Sequence, residues 1–166
     1  MVLNRIDKVL KNAEERELSG QDILNITENK CRVITYHELV DFQNLEELLE
    51  EFGACVILYE TKYDVGHWVS LFYIPNRNNV VEFFDPYGAN VDEELRYASY
   101  NLINNKPYLT NLLDETHLKI VYNKKRLQTW SKDTNTCGRW ASLRVRLKTI
   151  PLNKFQKLFI DNKMYD

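Results

Sequence analysis

Cys137 lies in a segment whose residue types suit a nucleophilic thiol. The polar run Thr134-Asn135-Thr136 supplies N-cap groups, and Trp140, Leu143 and Leu147 recur after it at helical spacing. The pattern predicts Cys137 in the first turn of a helix, where unpaired backbone N–H groups and the positive end of the helix dipole stabilise a thiolate. The thiolate is the nucleophilic form of cysteine, so this position suits catalysis. The alternative is a small buried residue that continues the apolar stripe of the helix.

His67 and Asp85 lie in two strand-like runs that are joined by the loop at residues 75–79. In an antiparallel hairpin with its turn centred on Asn76, residue 67 lies opposite residue 85, and both side chains point to one face. A carboxylate in that position can hold one imidazole nitrogen and leave the other free to take the proton of a thiol. The hairpin therefore predicts a base and its orienting acid. The alternative is an ion pair at the sheet edge without a catalytic role.

The elements that must position these residues predict an α+β fold. Runs rich in β-branched and aromatic residues indicate central strands at residues 54–60, 67–74 and 80–85, and a shorter strand is expected at 117–122. Helical patterns cover residues 3–18, 44–52 with Asn44 as N-cap, 92–103, 136–149 and 153–159. We find no repeat and no linker, so residues 1–166 are interpreted as a single domain. Together the patterns predict a central mixed, mainly antiparallel sheet with flanking helices.

Composition and charge disfavour several functions. The net charge of −2 favours neither nucleic acid nor an anionic membrane, and no stretch approaches the roughly 20 apolar residues that span a bilayer. The first residues, 1–11, lack the apolar core of a signal peptide. The cysteines Cys31, Cys55 and Cys137 are odd in number, which favours reduced thiols in a cytosolic or virion compartment over a disulfide scaffold. The protein is therefore not expected to be secreted.

Short motifs follow one another along the chain between about residues 50 and 150. In order, they are His67-Trp68, Phe84-Asp85-Pro86-Tyr87-Gly88, Leu127-Gln128 and Thr136-Cys137-Gly138-Arg139. This order resembles that of the adenain-like and SUMO-specific cysteine proteases. The resemblance implies Cys137 as the nucleophile, His67 as the general base and Asp85 as the residue that orients the imidazole.

The same resemblance implies further features of the site. It implies that the side-chain amide of Gln128 and the backbone N–H of Cys137 form the oxyanion hole, and that the fold is adenain-like and related to papain. Trp68 matches the aromatic residue that helps to wall a narrow channel for a Gly-Gly tail. Alternatively, Trp68 is a core residue stacked against Phe84, because the expected register pairs the two; both roles could hold.

The implied function is that of a cysteine endopeptidase that cleaves polypeptide substrates after glycine or another small residue. Two substrates stay open: a viral capsid precursor, processed in the virion or the host cytoplasm, and a SUMO- or ubiquitin-like tail, removed by an isopeptidase. The compact size and the Asn/Lys-rich composition favour the first. No cofactor is implied, and the cysteines and His67 lack the paired spacing of a zinc site. A nucleic-acid or peptide activator stays open, although no pattern indicates one.

Overall fold

Apolar runs from the middle of the chain form a five-stranded sheet in the computed structural model, which describes residues 2–129 and 134–161, with side chains from residue 8 onward. The strands lie side by side in chain order and are β1 (Arg32–Thr35), β2 (Ala54–Lys62), β3 (Val65–Tyr73), β4 (Val80–Phe84) and β5 (Lys119–Tyr122). The two central pairings are antiparallel, and the two outer pairings are parallel. The predicted mixed sheet is confirmed, whereas "mainly antiparallel" holds only for its centre.

Helices before, between and after the strands complete the α+β arrangement. They are α1 (Val2–Glu15), α2 (Gly20–Ile26), α3 (Leu45–Leu49), α4 (Tyr100–Ile103), α5 (Tyr108–Glu115), α6 (Cys137–Arg146) and α7 (Leu152–Asp161), with 3-10 helices at Tyr36–Asp41 and Glu93–Arg96. Asn44 caps α3 as predicted, since its side chain accepts a 2.8 Å hydrogen bond from the Glu47 N–H. The helix predicted over residues 92–103 is instead a 3-10 helix followed by α4, and sequence patterns missed α2, α5 and β1.

Side chains alternate between two buried faces of the sheet, as the pleat requires. One face packs against α3, α5 and the first 3-10 helix, and its central residues are Ile57, Val69, Leu71, Val81 and Phe83. The other face packs against α2 and α6 through Val56, Leu58, Trp68 and Phe72. Helices therefore flank the sheet on both sides. Within the described residues, none of the helices combines the length and hydrophobicity needed to cross a bilayer.

The register of the β3–β4 hairpin differs from the predicted one by two residues. Leu71 lies opposite Phe83, and the sequence of pairs ends with Ser70 opposite Phe84, so His67 does not lie directly opposite Asp85. The shift arises in the loop, where Asn76 and Asn79 take left-handed conformations with φ of 60° and 59° and move the turn one position along the chain. A shift of two preserves the face to which each side chain points. Asp85 is therefore a diagonal rather than a direct neighbour of His67.

Two contacts seat α6 on the sheet. A methyl group added at Gly138 would lie 3.1 Å from Trp68 Cδ1, so the first turn of α6 approaches β3 closely enough that a larger residue there would push its neighbours aside by a few tenths of an ångström. Farther along the helix, the buried Arg144 guanidinium donates hydrogen bonds of 2.6 and 2.9 Å to the Glu82 carboxylate on β4. This guanidinium also lies over the rings of Phe72 and Phe155, at 5.2 and 4.8 Å from their centroids. The start of α6 therefore has a defined position relative to β3 and β4.

Candidate active site

A buried hydrogen bond joins His67 and Asp85, the residues that the predicted hairpin places on one face. His67 Nε2 lies 3.0 Å from Asp85 Oδ1, and the side chains are only 6% and 1% exposed. Glycine at position 66 makes this position of the strand possible, because a Cβ there would collide with the Tyr59 carbonyl oxygen of β2. Nδ1 of His67 has no hydrogen-bond partner in the described part of the chain. The imidazole thus has one occupied nitrogen and one available nitrogen.

Asp85 is held from several directions just after the end of β4. Its backbone N–H donates to Asn123 Oδ1 at 2.8 Å, and its carbonyl oxygen accepts from Asn123 Nδ2 at 2.6 Å. Its Oδ1 atom accepts a second hydrogen bond, 2.7 Å long, from the Tyr87 backbone N–H. The carboxylate oxygen that faces His67 is therefore fixed by the local backbone. Neither Asn123 nor Tyr87 was selected from the sequence, since their roles depend on contacts between segments.

Opposing effects set the protonation of His67. Burial acts to lower the pKa of the imidazole, but the charge and hydrogen bond of Asp85 outweigh it, with further contributions from Cys137, and raise the pKa of His67 well above its usual range. The protonated ring is the form that the neighbouring Asp85 carboxylate favours. Cys137 thus lies close enough to His67 to influence the pKa of the ring.

Cys137 is the first residue of α6, as predicted, and is 7% exposed. Thr136 occupies the N-cap position, but its side chain makes no capping hydrogen bond, so the expected cap is absent. The start of the helix is instead tied to the end of α1, where Asn135 donates to the Glu14 and Glu15 carbonyl oxygens, both at 2.8 Å. The Cys137 thiol donates a weak hydrogen bond, 3.8 Å long, to the carbonyl oxygen of Gly66, the residue before His67.

Gln128 lies in the same region, buried and linked to Tyr87. Its Nε2 group donates to the Tyr87 hydroxyl at 3.2 Å and to the Thr134 carbonyl oxygen at 3.1 Å, while Oε1 is buried without a partner among the described residues. The ring of Tyr87 stacks on that of His67, with centroids 4.5 Å apart and planes 18° apart. Tyr87 therefore connects Gln128 with His67 and Asp85.

Trp68 follows His67 but points to the opposite face of the sheet. It is 4% exposed, and its indole N–H donates a 3.1 Å hydrogen bond to the Leu18 carbonyl oxygen. The predicted pairing with Phe84 is wrong, since Phe84 pairs with Ser70 and Trp68 lies opposite Leu58 of β2. Trp68 is thus a core residue that supports the first turn of α6.

A second carboxylate, Glu94, faces the His67–Asp85 pair. An oxygen of Glu94, an oxygen of Asp85 and a ring nitrogen of His67 all lie within 4.8 Å of one another. Within the described residues, no other three metal-ligating side chains converge in this way. However, Asp85 Oδ1 already accepts hydrogen bonds from His67 Nε2 and from Tyr87. Asp85 Oδ1 and His67 Nε2 are thus engaged with each other, and the arrangement fits an acid–base cluster better than a metal centre.

The arrangement has the parts that thiol-based acyl transfer requires. A cysteine at a helix start can attack a carbonyl carbon, and a histidine beside it, oriented by a carboxylate, can accept and return the proton. Cys31 and Cys55 do not share this environment, since burial raises the pKa of both thiols. The chemistry available here therefore centres on Cys137.

Comparison with known proteins shows a viral relative. A protein of the Sputnik virophage named "Uncharacterized protein V9" is 38% identical to this chain over 162 residues, which cover 95% of this chain and 91% of the virophage protein. No family model matches the sequence.

Proposed function

We propose that this chain, which belongs to the family of the Sputnik virophage protein V9, is a cysteine protease of the adenain-like and SUMO-specific type. The relative's name assigns no activity, so the proposal rests on the site. The observation that carries it is the buried 3.0 Å bond between His67 Nε2 and Asp85, which leaves Nδ1 available beside Cys137. The order of the motifs and the mixed sheet with flanking helices support an adenain-like fold.

The proposed reaction proceeds through a thioester. The Cys137 thiolate attacks the carbonyl carbon of the scissile peptide bond, and the leaving amine takes its proton from the His67 imidazolium. Water then attacks the thioester and gives a proton to His67, so that the carboxylic acid product leaves and the Cys137 thiolate and the His67 imidazolium are restored. Asp85 orients the ring in both steps and stabilises its charged form.

Gln128 is proposed to bind the oxyanion together with the backbone N–H of Cys137. Such a donor stabilises the transition state by about 3–4 kcal/mol. Both hydrogens of Gln128 Nε2 are engaged in the free protein, by Tyr87 and by Thr134. One of these bonds must therefore be exchanged for, or shared with, the substrate oxygen as the tetrahedral intermediate forms.

The burial of the centre favours a narrow range of substrates. Cys137 and His67 are almost fully covered, so a polypeptide must approach them with little bulk on the acyl side of the cut bond. Glycine meets this condition because it has no Cβ. We propose a viral capsid or other structural precursor as substrate, in the virion or the host cytoplasm, because the relative is viral. A ubiquitin-like tail that ends in glycine is the alternative substrate of the same chemistry.

Two substrate panels test the proposal, one of capsid-type peptides and one of ubiquitin-like C-terminal fusions. The wild type should cleave after glycine, replacement of that glycine by valine should lower kcat/KM at least tenfold, and Cys137→Ala should abolish cleavage. Cys31→Ala provides the matched control, since this buried thiol donates its hydrogen bond to the Thr27 hydroxyl. Cleavage that persists in Cys137→Ala would refute the assignment. The panel that is cleaved identifies the substrate class.

A further inference from the structure

Glu94 is the buried residue of a short helix whose other residues are half-buried or exposed. It lies on the 3-10 helix Glu93–Arg96 and is 6% exposed, whereas its neighbour Glu93 is half-buried and pairs with Arg96 at 2.6 Å. Within the residues that the structure describes, Glu94 forms no salt bridge with lysine or arginine. The charged groups that face it belong to His67 and Asp85, within the 4.8 Å cluster.

A separate network fixes the segment that carries Glu94. The Asp92 carboxylate accepts hydrogen bonds of 2.8 Å from the hydroxyls of Tyr36 and Tyr59, and of 2.8 and 2.6 Å from the backbone N–H and hydroxyl of Thr110. These partners come from three different elements of the fold. Glu94 is therefore held toward His67 by the fold itself rather than by a flexible surface contact.

We propose that Glu94 is a second acidic partner of His67, a positioning residue whose negative charge stabilises the imidazolium form that the cysteine protease reaction uses. This inference rests on the proposed function. An anion within 4–6 Å of an imidazole favours its protonated form. Asp85 orients the ring through a hydrogen bond, whereas Glu94 makes no such bond and acts through its charge.

The surrounding charges act on Glu94 in both directions. Burial is the largest effect and raises the pKa of Glu94 above its usual value, the charge of His67 opposes this rise, and the charge of Asp85 adds to it. Tyr87 of the same cluster has its pKa raised by burial and then by the charges of Cys137, Glu94 and Asp85. Glu93 and Arg96 on the same helix also contribute to the pKa of Glu94, in opposite directions. The ionisation of Glu94 is thus coupled to that of His67.

NMR titration of the imidazoles tests the inference without any substrate. The chain has only three histidines, so the His67 resonance can be assigned with a His67→Gln variant, and His37 and His117 serve as internal references. Glu94→Gln, which keeps the shape and removes the charge, should lower the pKa of His67 by about 1–3 units. Glu93→Gln, the matched control one residue away, should leave it unchanged. An unchanged or raised pKa of His67 in Glu94→Gln would overturn the inference.

A second variant and a kinetic measurement complete the test. If Glu94→Gln does not fold, Glu94→Asp, which retracts the charge by one methylene, should lower the pKa of His67 by a smaller amount, and an unchanged value again overturns the inference. The pH profile of kcat/KM is measured for the wild type and for the variant. In the variant, the alkaline limb should lie at lower pH than in the wild type, by the same amount as the pKa of His67 from NMR. An alkaline limb at the same pH in both proteins refutes the role of Glu94 in the reaction. A wild type that hydrolyses no peptide refutes the proposed function, while the NMR titration still decides whether Glu94 stabilises the imidazolium.

Discussion

Asp85→Asn should be a mild substitution, and the reason is a single backbone hydrogen bond. Asp85 Oδ1 accepts from His67 Nε2 and from the Tyr87 N–H, at 3.0 and 2.7 Å. Because an N–H group requires an acceptor, the amide oxygen of the introduced asparagine side chain must take the place of Oδ1. The oxygen then still accepts from His67, and the ring keeps its proton on Nε2 and leaves Nδ1 free to act as the base.

The expected magnitude follows from the loss of charge alone. Hydrogen bonds to charged groups contribute about 1.5–3 kcal/mol and neutral ones about 0.5–1.5 kcal/mol. The difference, about 1–1.5 kcal/mol, corresponds to a decrease in kcat/KM of about tenfold. In a Ser-His-Asp triad the same change inverts the tautomer and lowers kcat about 10⁴-fold. Asp85→Ala removes the acceptor entirely, so it should cost up to about a hundredfold and also lower the free energy of unfolding by about 1 kcal/mol or more.

The assay combines kcat/KM on a glycine-containing peptide with the tautomer of His67 from its nitrogen chemical shifts. Asp64→Asn is the matched control, because Asp64 is an exposed carboxylate in the turn between β2 and β3. A decrease of a thousandfold or more in Asp85→Asn, with the fold intact, would refute the argument from Tyr87. So would an Asp85→Ala variant that is as active as Asp85→Asn.

Two further predictions concern stability. Arg144→Met should lower the free energy of unfolding by about 3–5 kcal/mol in denaturant titrations, because it leaves the Glu82 carboxylate buried and unpaired. Arg144→Met combined with Glu82→Leu should recover much of this loss. A double variant as unstable as the single variant would contradict the prediction. Burial lowers the pKa of His67, but Asp85 raises it above the value of about 6.5 expected in the unfolded chain. The protonated ring therefore contributes its full stability below about pH 6.5, and this contribution is lost as the pH rises through the pKa of His67 in the folded protein. The deficit of His67→Gln relative to wild type should therefore be largest in mild acid and shrink at alkaline pH, and a deficit that grows with pH would show that the sign is wrong.

The sequence predicts the candidate site better than it predicts the strand register. Alternation along β3 and β4 places His67 and Asp85 on one face, and any even shift of the register preserves that result. The prediction that His67 pairs directly with Asp85 was wrong because the conformations of Asn76 and Asn79 decide where the turn is centred. Asparagine tolerates left-handed as well as extended backbone. The start of α6 at Cys137 was predictable from the apolar spacing that follows, although the expected Thr136 cap was not formed.

The parts that escaped prediction depend on contacts between distant segments. Asn123 binds the backbone of a residue 38 positions earlier in the chain, and no local pattern marks an asparagine for that role. In the sequence, Glu94 is one more acid of a predicted helix. Its segment is positioned by Asp92, which is bound by Tyr36 and Tyr59, 56 and 33 positions away. Such contacts set the burial of Glu94, and burial distinguishes it from Glu93.

The resting geometry also bears on how reactivity is controlled. The Cys137 thiol donates to the Gly66 carbonyl at 3.8 Å, a weak bond, while His67 Nδ1 has no partner among the described residues. The weak bond to the carbonyl oxygen thus holds the thiol hydrogen only loosely in the free protein. Gln128, by contrast, must exchange a hydrogen bond before it can bind an oxyanion. Under the proposed function, the oxyanion site is therefore completed only with substrate, so substrates are expected to be selected at the acylation step rather than at initial binding.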